Sequence, residues 1–217
     1  MSNGAVSALE ETEVYAYQAR IVSDRTRTWD AARAETAVRE LLDSLGVDVS
    51  TEDTRRTPRR AEMYHEMLTP KPFKFTTFPD ADHYDELVLV RAIPFVSLCA
   101  HHLLPFKGEA HVAYVPDERI VGLSKLARAV HQFAKALQVQ ERLTKQVLDL
   151  IQNELEPKGV GVVMEAEHEC MTVRGYRRWV PRPSRRPCTA SCAITTLAVR
   201  SPFARWHRHY VSRARCM

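Results

Sequence analysis

Ala34, Val38, Leu41, Leu42 and Leu45 recur at the three- and four-residue spacing of one helix face. They predict a helix over about 31–45, capped by Asp30 and stopped at Gly46. Thr57-Pro58 reads as the cap and first-turn proline of a second helix that runs to Leu68 and ends before Pro70. Residues 70–85 have no period and read as loop. The pattern changes at Leu87-Val88-Leu89-Val90-Arg91-Ala92-Ile93, a β-branched, apolar run that predicts a strand. A second strand follows over Gly108–Val115, with His111, Ala113 and Val115 on one face and Ala110, Val112 and Tyr114 on the other. Leu123–Leu137 and Val139–Leu155 predict two helices, and Pro157-Lys158-Gly159 a stop. Strands resume at Val160–Glu167 and Cys170–Arg174. Helices, two strands, two helices and two strands make an α+β order.

The ends are different. Residues 1–29 are polar and aperiodic, a loose arm, and 176–217 lack an amphipathic period and read as a poorly ordered tail. The central 30–175 is left as one domain, long enough to bury a sizeable core. An apolar fraction of 45% with 27% charged residues reads as a soluble globular chain. No apolar run reaches the roughly 18 residues a membrane span needs, and Met1–Ser7 has no signal-peptide pattern. A cytoplasmic location is expected, with the five cysteines as thiols or ligands rather than disulfides.

The formal charge of +4 conceals an asymmetry. Residues 176–217 hold ten Arg and no Lys, Asp or Glu, which leaves 21 basic against 27 acidic residues in 1–175. The basic excess belongs to the tail, so a nucleic-acid partner is not expected of the domain.

The stretch most able to do chemistry is Ser97-Leu98-Cys99-Ala100-His101-His102-Leu103-Leu104-Pro105-Phe106. It offers a thiolate and an imidazole three residues apart, the ligand types that Zn²⁺ prefers. A catalytic zinc takes three protein ligands and keeps a fourth position for water. Two are local; the third must come from a distant segment, and Cys170 in His168-Glu169-Cys170 is the best candidate. On a strand His168 and Cys170 would face the same cleft. Taken alone, a Cys and two His beside apolar residues read better as buried core plus a surface imidazole.

Five segments decide between these readings: Cys-Ala-His-His-Leu-Leu-Pro-Phe (99–106), Ala-His-Val-Ala-Tyr-Val-Pro (110–116), Gly-Leu-Ser-Lys-Leu-Ala-Arg (122–128), Gln-Val-Gln-Glu-Arg-Leu-Thr (138–144) and Glu-Ala-Glu-His-Glu-Cys-Met-Thr-Val-Arg-Gly (165–175). In composition, order and spacing they resemble GTP cyclohydrolase I over about residues 30–175. The resemblance implies the tunnelling fold: N-terminal helices, an antiparallel sheet with two helices packed on one face, and assembly into a homo-oligomer, a decamer in the family. It implies zinc on Cys99, His102 and Cys170, and GTP as substrate. His101 and His168 become the proton-transfer residues, with His101 turned from the metal toward the purine. Gln140 and Glu141 would read the guanine edge, whose adjacent N1–H and NH₂ suit one carboxylate. Ser124, Lys125, Arg128 and Arg174 would hold the triphosphate, and Arg60 a further phosphate position. The implied reaction opens the imidazole ring at C8, releases formate, rearranges the sugar and closes a pterin.

Two departures qualify it. Ala100 stands where family members usually carry Glu, and loss of that carboxylate is expected to impair or retune activity. After Gly175 the family ending is absent. Back-translation in a shifted frame reads Trp179 through Thr195 as Gly-Ala-Thr-Thr-Val-Thr-Ser-Ala-Leu-His-Gly-Leu-Val-Arg-Asp-His, a family-like ending, so residues 176–217 are expected to be an out-of-frame product. The sheet edge they should cover is then expected to be bare. The alternatives for the tail are a basic nucleic-acid arm or a metal knuckle from Cys188, Cys192, His207 and His209. For the whole chain they are an inactive member of the same fold that serves assembly, and a nucleic-acid binder acting through its arginines.

Overall fold

The structure, a computed structural model, describes residues 28–71 and 73–173, and the backbone alone of 193–200. The chain divides into two units at Met67 and Leu68. In the first, helix α1 covers Ala31–Ser44, and the Asp30 carboxylate accepts a hydrogen bond from the Arg33 N–H at 3.0 Å, capping it as predicted. Gly46, at φ 75°, lets the chain leave the helix. Pro58–Arg60 forms a 3₁₀ turn that leads into α2 (Ala61–Leu68), and the Trp29 ring stacks on His65 at 4.4 Å.

The second unit is built on a five-stranded sheet. Its strands are β2 (Val88–Cys99), β3 (Pro105–Val115), β5 (Leu137–Gln138), β6 (Gly159–His168) and β7 (Ala193–Arg200), in the order β5-β2-β3-β6-β7. All neighbours are antiparallel except the short β5, which runs parallel to β2. A separate two-stranded sheet pairs β1 (Thr77–Pro79) with β4 (Arg119–Val121), inside a stretch expected to be loop. The Arg119 Nε–H donates to Thr77 Oγ1 at 2.9 Å across that pair, a contact no local pattern announces.

Helices α3 (Leu123–Ala134) and α4 (Gln140–Leu155) pack on the sheet, α3 along β2 and α4 along β6 and β7. Their apolar positions Leu126, Ala129, Val130 and Phe133, and Leu143, Val147 and Ile151, join Phe95, Phe106, Ala110, Val112 and Met164 in the core. Each of the fully buried Val, Leu, Ile, Phe and Met side chains contributes about 1.5–3 kcal/mol. The α+β class with two helices on the sheet is as expected. Among the described residues, no helix is long and apolar enough to cross a membrane.

Three expectations need correction. Cys170 does not lie on a strand: β6 ends at His168, and Glu169–Thr172 form a helical turn, α5. The register explains it. Phe106 pairs with His168, so the next partner on β3 is Pro105, which has no N–H to extend the ladder. The helix predicted over Leu123–Leu137 ends at Ala134, and Leu137–Gln138 form β5, paired with Leu98 and Cys99. Nor is the edge of β6 bare, because β7 pairs along it from Val160↔Arg200 to Glu167↔Ala193.

Gly108 sets how closely β3 and β6 approach. A Cβ there would fall 1.8 Å from the Glu165 carbonyl oxygen. Gly108→Ala is therefore expected to destabilise the protein by about 3 kcal/mol or more, at the upper end of overpacking costs. Urea unfolding checks it; a change under about 0.5 kcal/mol would show that the strands give way freely.

Candidate active site and metal centre

β2 delivers Cys99 to one end of the sheet, and the loop 100–104 turns back into β3. The Cys99 N–H donates to Leu104 O at 2.8 Å, and the Leu103 N–H to Cys99 O at 3.0 Å. Leu103 takes φ 57°, a left-handed conformation that a β-carbon disfavours, to close this turn. On the other side the Ala100 N–H donates to Gln138 O at 2.9 Å, tying the loop to β5. The loop is thus held at both edges.

Its donors converge. Cys99 is buried, and its Sγ lies 3.5 Å from His102 Nδ1. Two ligands of one tetrahedral zinc, at about 2.3 Å for sulfur and about 2.05 Å for nitrogen, lie about 3.6 Å apart. The pair therefore has the spacing of two zinc ligands. A ring nitrogen of His101 joins them, with the three ligand atoms all within 4.8 Å of one another. This differs from the expected outward turn of His101.

Cys170 lies outside that group of three, buried in α5. It follows the end of β6 by two residues, and β6 is separated from β2 by β3. Two strand spacings of about 4.8 Å put the β2 and β6 backbones about 10 Å apart. Cys170 thus lies toward the same end of the sheet as Cys99, two strands away.

His168, at the end of β6, is held on two sides. Its ring stacks on Phe106 with centroids 4.7 Å apart and planes 5° from parallel, and its Nε2 lies 2.9 Å from Gln140 Oε1. Burial lowers its pKa below the ordinary histidine value, opposed by the nearby Glu141 carboxylate. Phe106 itself is fully buried and meets Phe95 edge-on at 6.1 Å. Glu141 is exposed in the first turn of α4, which suits a carboxylate near the helix dipole.

A second buried amide braces the site. Gln138 donates from Nε2 to Phe133 O at 2.9 Å and Gln146 Oε1 at 2.7 Å, and its Oε1 accepts from Arg142 Nε at 2.7 Å. This ties α3, β5 and α4 together behind Cys99. The alternation of Gln138 and Gln140 around Val139 was the visible trace of it; Phe106 gave no sign beyond being apolar.

Of the residues expected to hold the triphosphate, Ser124, Lys125 and Arg128 lie on α3. Ser97 Oγ donates to Ala134 O at 2.7 Å, and His131 Nε2 lies 2.8 Å from Pro94 O, so α3 runs alongside β2 with its C-terminal end toward Cys99. Lys125 is nine residues earlier than Ala134, about 14 Å back along the axis at 1.5 Å per residue. Its Nζ donates to Lys74 O at 2.8 Å, while Ser124 and Arg128 are exposed. Arg60 closes the 3₁₀ turn of the first unit, and Arg174 lies outside the described residues.

The profile of the GTP cyclohydrolase I family matches residues 34–186. The chain belongs to that family. The GTP cyclohydrolase 1 of Aquifex aeolicus is 50% identical over 147 residues, 67% of this chain and 80% of that protein. That of Mycobacterium tuberculosis is 49% identical over 166 residues, 73% of this chain and 82% of its own. A Hydrogenobaculum GTP cyclohydrolase 1 is 49% identical over 141 residues, covering 64% of this chain and 78% of its own. Among solved structures, archaeosine synthase QueF-like in the apo form aligns with a TM-score of 0.39 and 14% identity, covering 52% of this chain and 91% of that one.

In this GTP cyclohydrolase family member Phe106 carries both the core and the His168 ring. Phe106→Ala is expected to cost about 3–5 kcal/mol, the range for emptying a buried phenyl site. Denaturant titration measures it, and a loss below about 1 kcal/mol would remove the ring from that role.

Proposed function

We propose that this chain is a zinc-dependent GTP cyclohydrolase I. It hydrolyses GTP at C8, releases formate and rearranges the product to 7,8-dihydroneopterin triphosphate. Beyond family membership, the observation that carries this reading is the Cys99–His102 donor pair at zinc-ligand spacing, on the same sheet end as His168. Cys99, His102 and Cys170 would hold the metal, and a cytoplasmic setting would keep both thiols reduced. Zinc bound there supplies a water acidic enough to attack near neutral pH.

The rest falls to the protein. Glu141 accepts the guanine N1–H and NH₂, with Gln140 beside it at the start of α4. His101 protonates purine N7 as the ring opens, and His168 moves a second proton. Ser124, Lys125, Arg128, Arg174 and Arg60 bind the triphosphate. The position of Lys125 far back along α3 supports a homo-oligomer in which one copy's cations reach GTP held at another copy's Cys99 end.

Purified full-length protein incubated with zinc and GTP is expected to yield formate and, after oxidation, a fluorescent pterin. Absence of both at full zinc loading would reject the reading. Glu141→Gln is expected to lower kcat/KM roughly 100-fold by removing a charged acceptor for two hydrogen bonds, with thermal unfolding unchanged. An equal loss of stability would make Glu141 a structural residue instead.

Ala100 favours a second reading, in which the chain is an inactive or impaired assembly subunit. Its backbone is tied to Gln138, and it has no carboxylate to support the neighbouring donors. Ala100→Glu is expected to raise turnover roughly tenfold, within the range of outer-shell partners. Unchanged turnover would mean that the missing carboxylate is immaterial.

A further inference from the structure

Gln140 is 2% exposed, and the two ends of its amide serve different partners. Nε2 donates to Met164 O at 2.9 Å, and Oε1 lies 2.9 Å from His168 Nε2. A carbonyl only accepts, so Met164 dictates which end of the amide it meets; the reversed amide would press two acceptors together. The atom opposite His168 is therefore an oxygen, and His168 Nε2 must carry the hydrogen. A neutral imidazole has one N–H, which places its lone pair on Nδ1.

The surroundings hold this arrangement in place. The Phe106 stack fixes the plane of the His168 ring, and Thr144 Oγ1 donates to Gln140 O at 2.8 Å, anchoring the first turn of α4. Presenting the same amide to a guanine edge would compete with Met164 or His168, whereas the neighbouring Glu141 is exposed.

We infer that Gln140 is a positioning residue that holds His168 in its Nε2–H tautomer, so that Nδ1 is the atom through which His168 exchanges a proton during the reaction. Gln140 thereby acts through His168 rather than on the substrate. The inference rests on the reading of the chain as a GTP cyclohydrolase I, with His168 as a proton-transfer residue.

The test compares wild type with Gln140→Met, which keeps length and volume but cannot accept the hydrogen bond, both as zinc-loaded full-length protein. Histidine-selective ¹⁵N solid-state NMR, with the His168 signal assigned by its loss in His168→Gln, reads the tautomer. The wild type is expected to show Nε2–H alone and Gln140→Met a mixture. With GTP, kcat is expected to fall roughly 10- to 100-fold, part of the ~100- to 10,000-fold a placed acid–base group contributes, with KM changed less than about threefold. A wild-type Nδ1–H tautomer, or an unchanged tautomer in Gln140→Met, overturns the inference. So does a rise in KM as large as the fall in kcat, which would make Gln140 a substrate-reading residue. If wild-type protein fails to convert GTP, the proposed activity fails, and the NMR result still decides what Gln140 does to His168.

Discussion

The structure depends on β3 pairing with a neighbour on each side. Its first residues meet the end of β2 through Leu98↔Pro105 and Ser97↔Phe106, and the end of β6 through Phe106↔His168. One strand thereby gathers chemistry from segments about seventy residues apart in the chain. Pro105 ends the ladder with β6 and Phe106 begins the core, so ordered sheet gives way to reactive loop within two residues. The edge of the apolar interior is therefore also the floor of the site.

Polar groups at that floor are buried, and a buried polar group without a partner costs about 1–3 kcal/mol. The chain answers this with amides. Gln138 and Gln140, on either side of the β5–α4 junction, each engage partners at both ends. The first faces the bracing elements behind Cys99, and the second faces β6. A two-residue strand followed at once by a helix turns them in different directions, one toward each half of the site. Tight packing around neutral amides gives the site a rigid frame without placing a permanent charge inside it.

Much of this was legible in the sequence. The Asp30 cap, the first-turn Pro58, the apolar positions of α3 and α4 and the alternation in β3 are local signals with local causes, although Thr57, read as the cap before Pro58, makes no capping side-chain bond. What escaped were features decided by distant partners. Cys170 sits in a stretch that reads as strand, but the ladder stops at His168, because the next partner on β3, opposite Glu169, is Pro105. The β1–β4 pair and β5 are two or three residues long, too short for any period to show. Cys99 and His102 are candidates by residue type and spacing and become the expected donors only through the family resemblance, whereas the closeness of His101 to both has no local signal. The Phe106 stack depends on register. Residues 176–192 and 201–217, where the shifted reading frame and the candidate knuckle fall, lie outside the described residues.

The β2–β3 hairpin brings its two strands together across only five residues, whereas β6 must find β3 across an intervening pair of helices. Short loops close at less entropic cost than long ones. Cys99 and His102 thus belong to the part of the chain that can assemble earliest, and His168 and Gln140 to a part that waits for long-range docking. During folding, the Cys99–His102 pair can therefore come together before His168 meets Phe106 and Gln140. The two halves of the candidate site are in that sense separable steps in the life of the polypeptide.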